Sequence, residues 1–363
     1  MTLLKSSLVL AAMMLLITDL ALATTYAVGP CKPALPSYST ISAAVAGAAS
    51  GSTIEVCPGN YPEQVTITQP LTLTGITSGN STAVVVTAPL SSLGSLTDDD
   101  GIDVAAHIVV TSAGPVNISF ITVDGTGSTI SDSNASEVGI FYGDSSGVVS
   151  NVTVRNLPFH FGYESGVLAS ANTAQSLTIE SSNFHDIYNS SVLSEGVTLT
   201  AKANVMAAGG YNVQAFFGDN TVSGNDIVGT GCCWAINSSG SGTISGNTIT
   251  NNNTGYFGFG QTVTNNKISN GFYGVYLVGD GGTIKGNLIS MVTTGIEFGC
   301  SLPTTVAFNT INEATTALDR APSSYAGSNK FNDVSTIRTG GCPNAQTGAR
   351  PQAKIMAAPT PTP

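Results

Sequence analysis

Two histidines with charged neighbours stand at related places in the middle of the chain. A repeated motif, described below, has one position that is usually an asparagine and is called the marked position here. His160 and His185 each lie three residues after a marked position. Arg155, Glu180 and Lys202 each precede such a position by two residues, which predicts a column of alternating charge beside the histidines. A histidine can act as a general base and an arginine can neutralise a uronate carboxylate, as β-elimination or hydrolysis of an acidic sugar requires. The alternative is a surface ladder of opposite charges, which contributes little stability.

A second set of side chains, Tyr276, Glu297 and Asp319, is predicted to share one column nearer the C-terminus. Each occupies the outward position of a short strand that recurs later in the repeat. Two carboxylates on neighbouring turns could perform acid–base catalysis at a glycosidic bond, with the tyrosine as a platform for the sugar. Because no cation is predicted on the same strand, this column suits a neutral sugar. The alternative is an exposed polar face of a sheet.

A run of acidic residues offers a third kind of chemistry. Asp98, Asp100 and Asp103 lie close together in a long insertion that precedes the repeats. Carboxylate oxygens packed this closely could bind Ca²⁺. The alternative is a solvated loop in which the carboxylates repel each other. No other cofactor is predicted.

The elements that must position these residues are set by an internal repeat. Its motif is an apolar residue, two variable residues, an asparagine, one variable residue and an isoleucine. Five ungapped copies are Val222–Ile227, Ile244–Ile249, Val263–Ile268, Ile284–Ile289 and Val306–Ile311. Looser copies have Asn204 and Asn329 at the marked position, or Ser182, Leu157 and Ile121 in place of the asparagine. From Ser182 onward, the marked positions are 22, 21, 22, 19, 21, 22 and 20 residues apart.

This period is too short for a helix pair and too regular for a sandwich, but it fits one turn of a β-solenoid. Each turn then carries two or three short strands that stack in parallel on the next turn, about 4.8 Å away. The motif predicts that its two apolar positions point inward. The asparagine between them is predicted to occupy the corner, in left-handed backbone geometry, where stacked amides can hydrogen-bond along the ladder.

The stretch Tyr38–Ile67 resembles the opening of the pectin lyase-like right-handed parallel β-helix proteins, and the repeats resemble their parallel β-helix repeats. The resemblance implies an all-β, single-stranded right-handed parallel β-helix over residues 24–340. It also implies a short capping helix over Ile41–Ala49, which Ser39 or Thr40 would cap. The catalytic signatures of methylesterases, polygalacturonases, alginate epimerases and pectate lyases are missing, so no family catalytic residue is carried over.

The resemblance implies a secreted protein that binds or acts on extracellular polysaccharide, with lyase or glycoside hydrolase chemistry as the candidate reactions. Because the catalytic signatures are missing, a non-catalytic structural or carbohydrate-binding surface solenoid is the alternative. Eleven basic against 22 acidic residues give a net charge of −11, which argues against nucleic acid as a partner. We expect a monomer.

The two ends of the chain are predicted to lie outside the fold. Residues 1–23 read as a secretory signal peptide, because Lys5 precedes a short apolar run and Ala21-Leu22-Ala23 has the form of a cleavage site. The protein is therefore expected to be extracellular or periplasmic. The proline-rich residues 341–363 are predicted to be a mostly disordered tail. No later segment is apolar enough over sufficient length to span a membrane.

The six cysteines, an even number in a chain that is expected to be secreted, favour disulfides. Closeness in sequence suggests Cys31–Cys57 near the N-terminus and Cys300–Cys342 near the C-terminus. Cys232 and Cys233 would then remain as a vicinal pair, either oxidised to each other or free.

Overall fold

The computed structural model describes residues 23–77, 83–98, 101–230, 233–251, 256–257, 260–277, 281–299 and 305–341. Residues 1–22 of the predicted signal peptide and residues 342–363 of the predicted tail lie outside these ranges. No helix in the described part of the chain is both long enough and apolar enough to cross a membrane.

The described residues form a right-handed parallel β-helix in which each turn contributes strands to three stacks, here called sheets 1, 2 and 3 in chain order. Sheet 1 contains Thr25–Val28, Ser52–Val56, Leu71–Gly75, Val116–Ser119, Gly147–Ser150, Asn220–Ser223, Gly242–Ser245, Thr262–Thr264, Thr283–Lys285 and Thr305–Ala307. Sheet 2 contains Gly59–Pro62, Val84–Thr87, Thr122–Asp124, Thr153–Leu157, Asn183–Ile187, Val205–Ala207, Asp226–Val228, Thr248–Thr250 and Lys267–Ser269.

Sheet 3 contains Val65–Ile67, Asp103–Val110, Ser136–Gly143, Tyr211–Phe216, Ile236–Ser238, Tyr256–Phe257 and Tyr273–Leu277. Long strands pass through a corner and serve two sheets: Ser165–Glu180 and Ser190–Lys202 join sheets 3 and 1, whereas Leu288–Phe298, Thr310–Asp319 and Lys330–Arg338 join sheets 2 and 3. Short additions are Ser37–Tyr38, Leu96–Thr97, which is antiparallel to Asp103–Val110, and the 3₁₀ helix Ser323–Ser328.

The predicted asparagine ladder occupies the corner between sheets 1 and 2. Asn247 is typical: its Nδ2 donates to the Val222 carbonyl and to Asn266 Oδ1, both at 2.9 Å, and its Oδ1 accepts from the backbone and side chain of Asn225. The same pattern links Asn204, Asn225, Asn247, Asn266, Asn287, Asn309 and Asn329. Because these amides are almost all buried, each turn satisfies the polar groups of its neighbour.

Two details of the ladder differ from the prediction. The left-handed backbone lies at the residue before the ladder asparagine, as at Asn265 and Phe308, and not at the asparagine itself. In addition, Leu157 is not a marked position. Val154 pairs with Phe184, which places Val152 opposite Ser182. These N-terminal turns lack the asparagine, so the sequence alone could not locate their corner.

The N-terminal end of the core is closed by the predicted helix α1, Ile41–Gly47, which ends two residues earlier than expected. Thr40 Oγ1 accepts from the Ala43 amide at 3.1 Å. The Glu63 carboxylate accepts from the first two amides of the helix, each at 2.8 Å, a favourable place for a negative charge. The helix buries Ile41, Ala44 and Val45 against the first turns.

The disulfide between Cys31 and Cys57 is confirmed. Cys233 is also disulfide-bonded, which rules out the free-thiol alternative for this residue. Cys232, Cys300 and Cys342 lie outside the described residues, and the Cys300–Cys342 pairing therefore stays a prediction.

Replacing Asn247 by leucine is expected to lower the free energy of unfolding by about 1–3 kcal/mol, because buried amides on both neighbouring turns lose partners. Denaturant unfolding measures this loss. Asn183→Leu is the matched control, since Asn183 is exposed and directly follows Ser182, the residue at the marked position of its turn. Equal losses in the two variants would show that the ladder adds no stability.

Candidate functional site

The outward side chains of sheet 3 change from apolar to aromatic and charged along the solenoid. At its N-terminal end, Phe141, Leu168 and Leu193 form a second apolar cluster, which is covered by Leu96, Tyr163 and other side chains. Strand pairing continues the column through Gln214 and Asn237 to the turn of Tyr276. The aromatic and charged side chains described next lie on the C-terminal part of the outer face of sheet 3.

Tyr276, Glu297 and Asp319 lie in register on three successive turns, as the repeat predicted. The residue before each of them, Val275, Ile296 and Leu318, is fully buried in the core. Alternation along a strand therefore turns the three polar side chains outward. The ungapped spacing of the repeat in this part of the chain made the register predictable.

An aromatic group, which the sequence analysis missed apart from Tyr276, adjoins this column. The rings of Trp234 and Tyr273 stack at 6.0 Å and 12° between planes, and the rings of Trp234 and Tyr276 at 5.6 Å and 27°. Tyr273 and Tyr276 are 5.3 Å apart, and Phe272 meets Tyr273 edge-on at 4.6 Å. Trp234 follows the vicinal cysteines outside any clear copy of the motif, so its position could not be read from the repeat.

The Glu297 carboxyl accepts a hydrogen bond from Tyr273 of this aromatic group, and its side chain is only 7% exposed. Burial raises its pKa, and the neighbouring Asp319 carboxylate raises it too. The Arg320 guanidinium and a hydrogen bond from Tyr273 act in the opposite direction, but the net pKa stays above the usual glutamate value. The same surroundings raise the pKa values of Tyr273 and Tyr276, through burial and the negative charge of Glu297.

Arg320 corrects the prediction that this column has no cation. Its Nη2 lies 2.9 Å from Glu297 Oε1, and its Nε lies 3.4 Å from Asp319 Oδ2. The backbone of Arg320 is left-handed, with φ of 55°, so the chain turns immediately after the strand. Strand alternation does not hold through such a turn, which is why the sequence argument missed the guanidinium.

The other predicted column does not exist as such. Arg155 pairs in register with His185 and with Asp124 on sheet 2, whereas Glu180 pairs with Lys202 on sheet 1. The prediction failed because its copy of the motif around Leu157 was placed five residues too late. Glu180 and Lys202 do form an ion pair, at 2.6 Å.

The two predicted histidines also have different partners. His185 Nδ1 lies 2.7 Å from Asp186 Oδ2 near the surface. His160 lies in the loop between sheets 2 and 3, and its Nε2 lies 3.0 Å from Glu137 Oε2. They are therefore not equivalent positions on successive turns.

The Asp124 carboxylate accepts hydrogen bonds from several residues around Arg155. Burial alone would raise its pKa, but hydrogen bonds from Thr126, Asn156 and Arg155 outweigh that effect and lower the pKa to about 2. The Arg155 Nε to Asp124 Oδ2 distance is 2.8 Å. Arg155 is thus engaged with a carboxylate of the protein itself.

A buried chain of polar groups, which the sequence analysis missed, lies behind His160. Glu137 is fully buried and bridges two imidazoles: its Oε1 is 2.8 Å from His107 Nε2, and its Oε2 contacts His160. His107 is fully buried as well. Nothing in the apolar strand around His107 pointed to this pair, since its partner lies 30 residues away.

The acidic run is occupied with local hydrogen bonds. Asp98 Oδ1 accepts from the Ile102 amide at 2.8 Å, and Asp103 Oδ1 accepts from Thr97 Oγ1 at 2.6 Å. Asp100 lies outside the described residues. Within the described ranges, no three acidic, histidine or cysteine side chains are grouped so that they could hold a metal ion. Calcium binding stays a prediction.

Arg320→Ala is expected to raise the pKa of Glu297 further, because the guanidinium is the strongest influence that lowers it. Carboxyl ¹³C NMR titration measures this shift, and Glu297→Gln assigns the resonance. Lys285→Ala is the control, since that ammonium lies over the Phe308 ring at the corner of sheets 1 and 2. An unchanged or lower pKa in Arg320→Ala would contradict the proposed geometry.

Comparison with solved structures places the architecture among known proteins. The A-module of the mannuronan C-5 epimerase AlgE6 from Azotobacter vinelandii superposes with a TM-score of 0.52 at 18% identity, over 86% of this chain and 95% of that one. A pectin methylesterase from Yersinia enterocolitica gives a TM-score of 0.40 at 9% identity, over 60% of this chain and 81% of that one. No protein-family model and no curated protein matches the sequence. The chain has the right-handed parallel β-helix fold of the pectin lyase-like proteins.

Proposed function

We propose that this protein binds an extracellular polysaccharide at the C-terminal part of the outer face of sheet 3, and hydrolyses it there. The observation that carries the proposal is a stack of tryptophan and tyrosine rings directly beside a carboxyl group whose pKa is raised. Aromatic rings with a polar tip offer an apolar face to a sugar ring and a hydrogen-bonding group to its hydroxyls.

The carboxyl groups supply the chemistry. A glutamate that keeps its proton to higher pH is suited to protonate the leaving oxygen of a glycosidic bond. Asp319, on the next turn, is the second carboxyl group that such a hydrolysis needs. In this proposal Glu297 is the general acid and Asp319 the base or nucleophile, while Tyr276 and Trp234 hold the sugar.

The charges around the site favour a neutral sugar. Arg320 is already engaged with both carboxylates, so it is not available to pair with a uronate. The net charge of −11 repels acidic polymers further. Acidic glycans are therefore expected to bind more weakly than neutral ones.

Non-catalytic binding of the same glycan is the second candidate. The observation in its favour is the ion pair between Glu297 and Arg320, because a carboxylate that is held by a guanidinium is stabilised in its ionised form. The aromatic stack would then serve recognition alone. Both candidates suit a secreted or periplasmic protein, and the Cys31–Cys57 disulfide supports that location.

Trp234 is the only tryptophan, so intrinsic fluorescence reports directly on the proposed site. Titration with β-1,4-linked gluco-, manno- and xylo-oligosaccharides, and with polygalacturonate and alginate, is expected to change the emission for a neutral series. Tyr276→Ala is expected to weaken that binding by roughly tenfold, the equivalent of about 1.4 kcal/mol. His185→Ala is the control on another sheet and is expected to keep full affinity.

Release of reducing ends separates the two candidates. Glu297→Gln is expected to keep the affinity but to lower turnover by roughly 10²-fold or more. Turnover that survives in this variant would remove Glu297 from catalysis. Binding without any turnover in the wild-type protein would select the non-catalytic candidate, and a Trp234 signal that responds to none of the glycans would refute the proposal.

A further inference from the structure

A second group of exposed aromatic side chains lies where sheet 2 passes to sheet 3. The loop of residues 158–164, here called the Phe159 loop, presents Phe159 and Phe161, each 50% exposed. The Phe159 ring lies 4.8 Å from that of Tyr188, which belongs to the next turn and is 41% exposed. Because each phenylalanine is half exposed, it forgoes roughly half of the about 1.5–3 kcal/mol that full burial would provide. Solubility and stability alone do not favour this arrangement.

Two buried carboxylates fix this loop. Glu164 accepts hydrogen bonds from the backbone amides of His160, Phe161 and Gly162, at 2.8, 2.6 and 3.0 Å. Glu137 holds the His160 ring from below and is itself anchored by His107. Both glutamates are fully buried: Glu137 lies in a strand of sheet 3, and Glu164 directly precedes the strand that pairs with it on the next turn. The loop is also tied to the next turn, because Asn189 Nδ2 donates to the Gly162 carbonyl at 2.6 Å.

Buried polar groups are costly, because each loses its hydration and is compensated only through close partners. A loop that merely connected two sheets would need none of them. Here the cost is associated with one outcome: hydrogen bonds fix the backbone amides of His160, Phe161 and Gly162, while the side chains of Phe159 and Phe161 stay half exposed. Such pre-ordering lowers the entropy that a binding surface loses when a ligand arrives.

The position of Phe159 and Tyr188 relates them to the first site. Tyr188 lies two residues before Ser190, which pairs with Tyr211 on the next turn. One turn further, the residue equivalent to Tyr211 is Trp234, because Val213 pairs with Ile236. Tyr188 is thus two turns from Trp234, or about 10 Å along the solenoid axis at about 4.8 Å per turn. An aromatic residue stands near the start of sheet 3 on each of these turns.

We propose that Phe159 and Tyr188 form a second sugar-binding subsite, held in place by the relay His107–Glu137–His160. The ligand is then a linear glycan that runs parallel to the solenoid axis and contacts both aromatic groups at once. This inference rests on the proposed function and extends it, since it assigns a long polymer as the ligand and not a short oligosaccharide. His160 and Glu137 are positioning residues in this scheme.

Chain-length dependence tests the proposal. Affinity is measured through Trp234 emission with the neutral oligosaccharide series that binds, from disaccharides up to the polymer. It is expected to rise by roughly tenfold or more once the chain reaches from Trp234 to Phe159. The double variant Phe159→Ala/Tyr188→Ala is expected to abolish this rise and to leave the affinity for the shortest ligands unchanged. Phe308→Ala removes a phenylalanine that is more exposed than Phe159, at the corner between sheets 1 and 2, and serves as the control.

The relay His107–Glu137–His160 is tested by the same comparison of affinity for long and short ligands. Glu137→Gln is expected to weaken binding of long chains only, and His160→Ala, at a side chain that is 25% exposed, repeats the test if the buried substitution prevents folding. A length-independent affinity, or equal losses for short and long ligands in these variants, would overturn the second subsite while leaving the first intact. A Trp234 signal that responds to no glycan would refute the proposed function and this inference together.

Discussion

The buried asparagine ladder is the interaction on which the rest of this solenoid depends. A corner must expose backbone groups that have no strand partner, and these groups would be costly if they were left unpaired inside the protein. Each ladder amide satisfies such groups on the preceding turn: Asn247 Nδ2 donates to the Val222 carbonyl, and its Oδ1 accepts from the Asn225 amide. Because the same bonds recur from Asn204 to Asn329, they also fix the register of sheets 1 and 2 on either side of the corner. The chain continues from sheet 2 into sheet 3, where the candidate site lies.

The repeat predicted the strand register correctly in the C-terminal half of the chain and wrongly in part of the N-terminal half. Where the asparagine is present, the spacing predicted that Tyr276, Glu297 and Asp319 share a column, and the strand pairing agrees. Where Val152 stands in place of the asparagine, the marked position was placed at Leu157, and Arg155 was therefore assigned to the wrong sheet. The fold tolerates Val152 because Ser182 Oγ accepts from its backbone amide, a contact that sequence alone does not show.

Other parts of the site depend on geometry that no periodic pattern encodes. Arg320 reaches Glu297 through a left-handed turn, and His160 reaches Glu137 from the loop between sheets 2 and 3. In both cases the partner comes from outside the regular strand alternation. The solenoid therefore supplies predictable columns, while the irregular segments between its strands supply the partners that adjust the protonation and orientation of those columns.

The last turn that the structure describes has a consequence for the behaviour of the protein in concentrated solution. Lys330–Arg338 pairs with Thr310–Asp319 on one side, and most of its residues are exposed. A parallel strand at the end of a stack is a template on which another chain could add a strand. Lys330, Asp333 and Arg338 put charges of both signs along this strand, and an incoming apolar segment would have to desolvate them. These charges thereby discourage strand addition at the last described turn of a fold that is otherwise built by stacking.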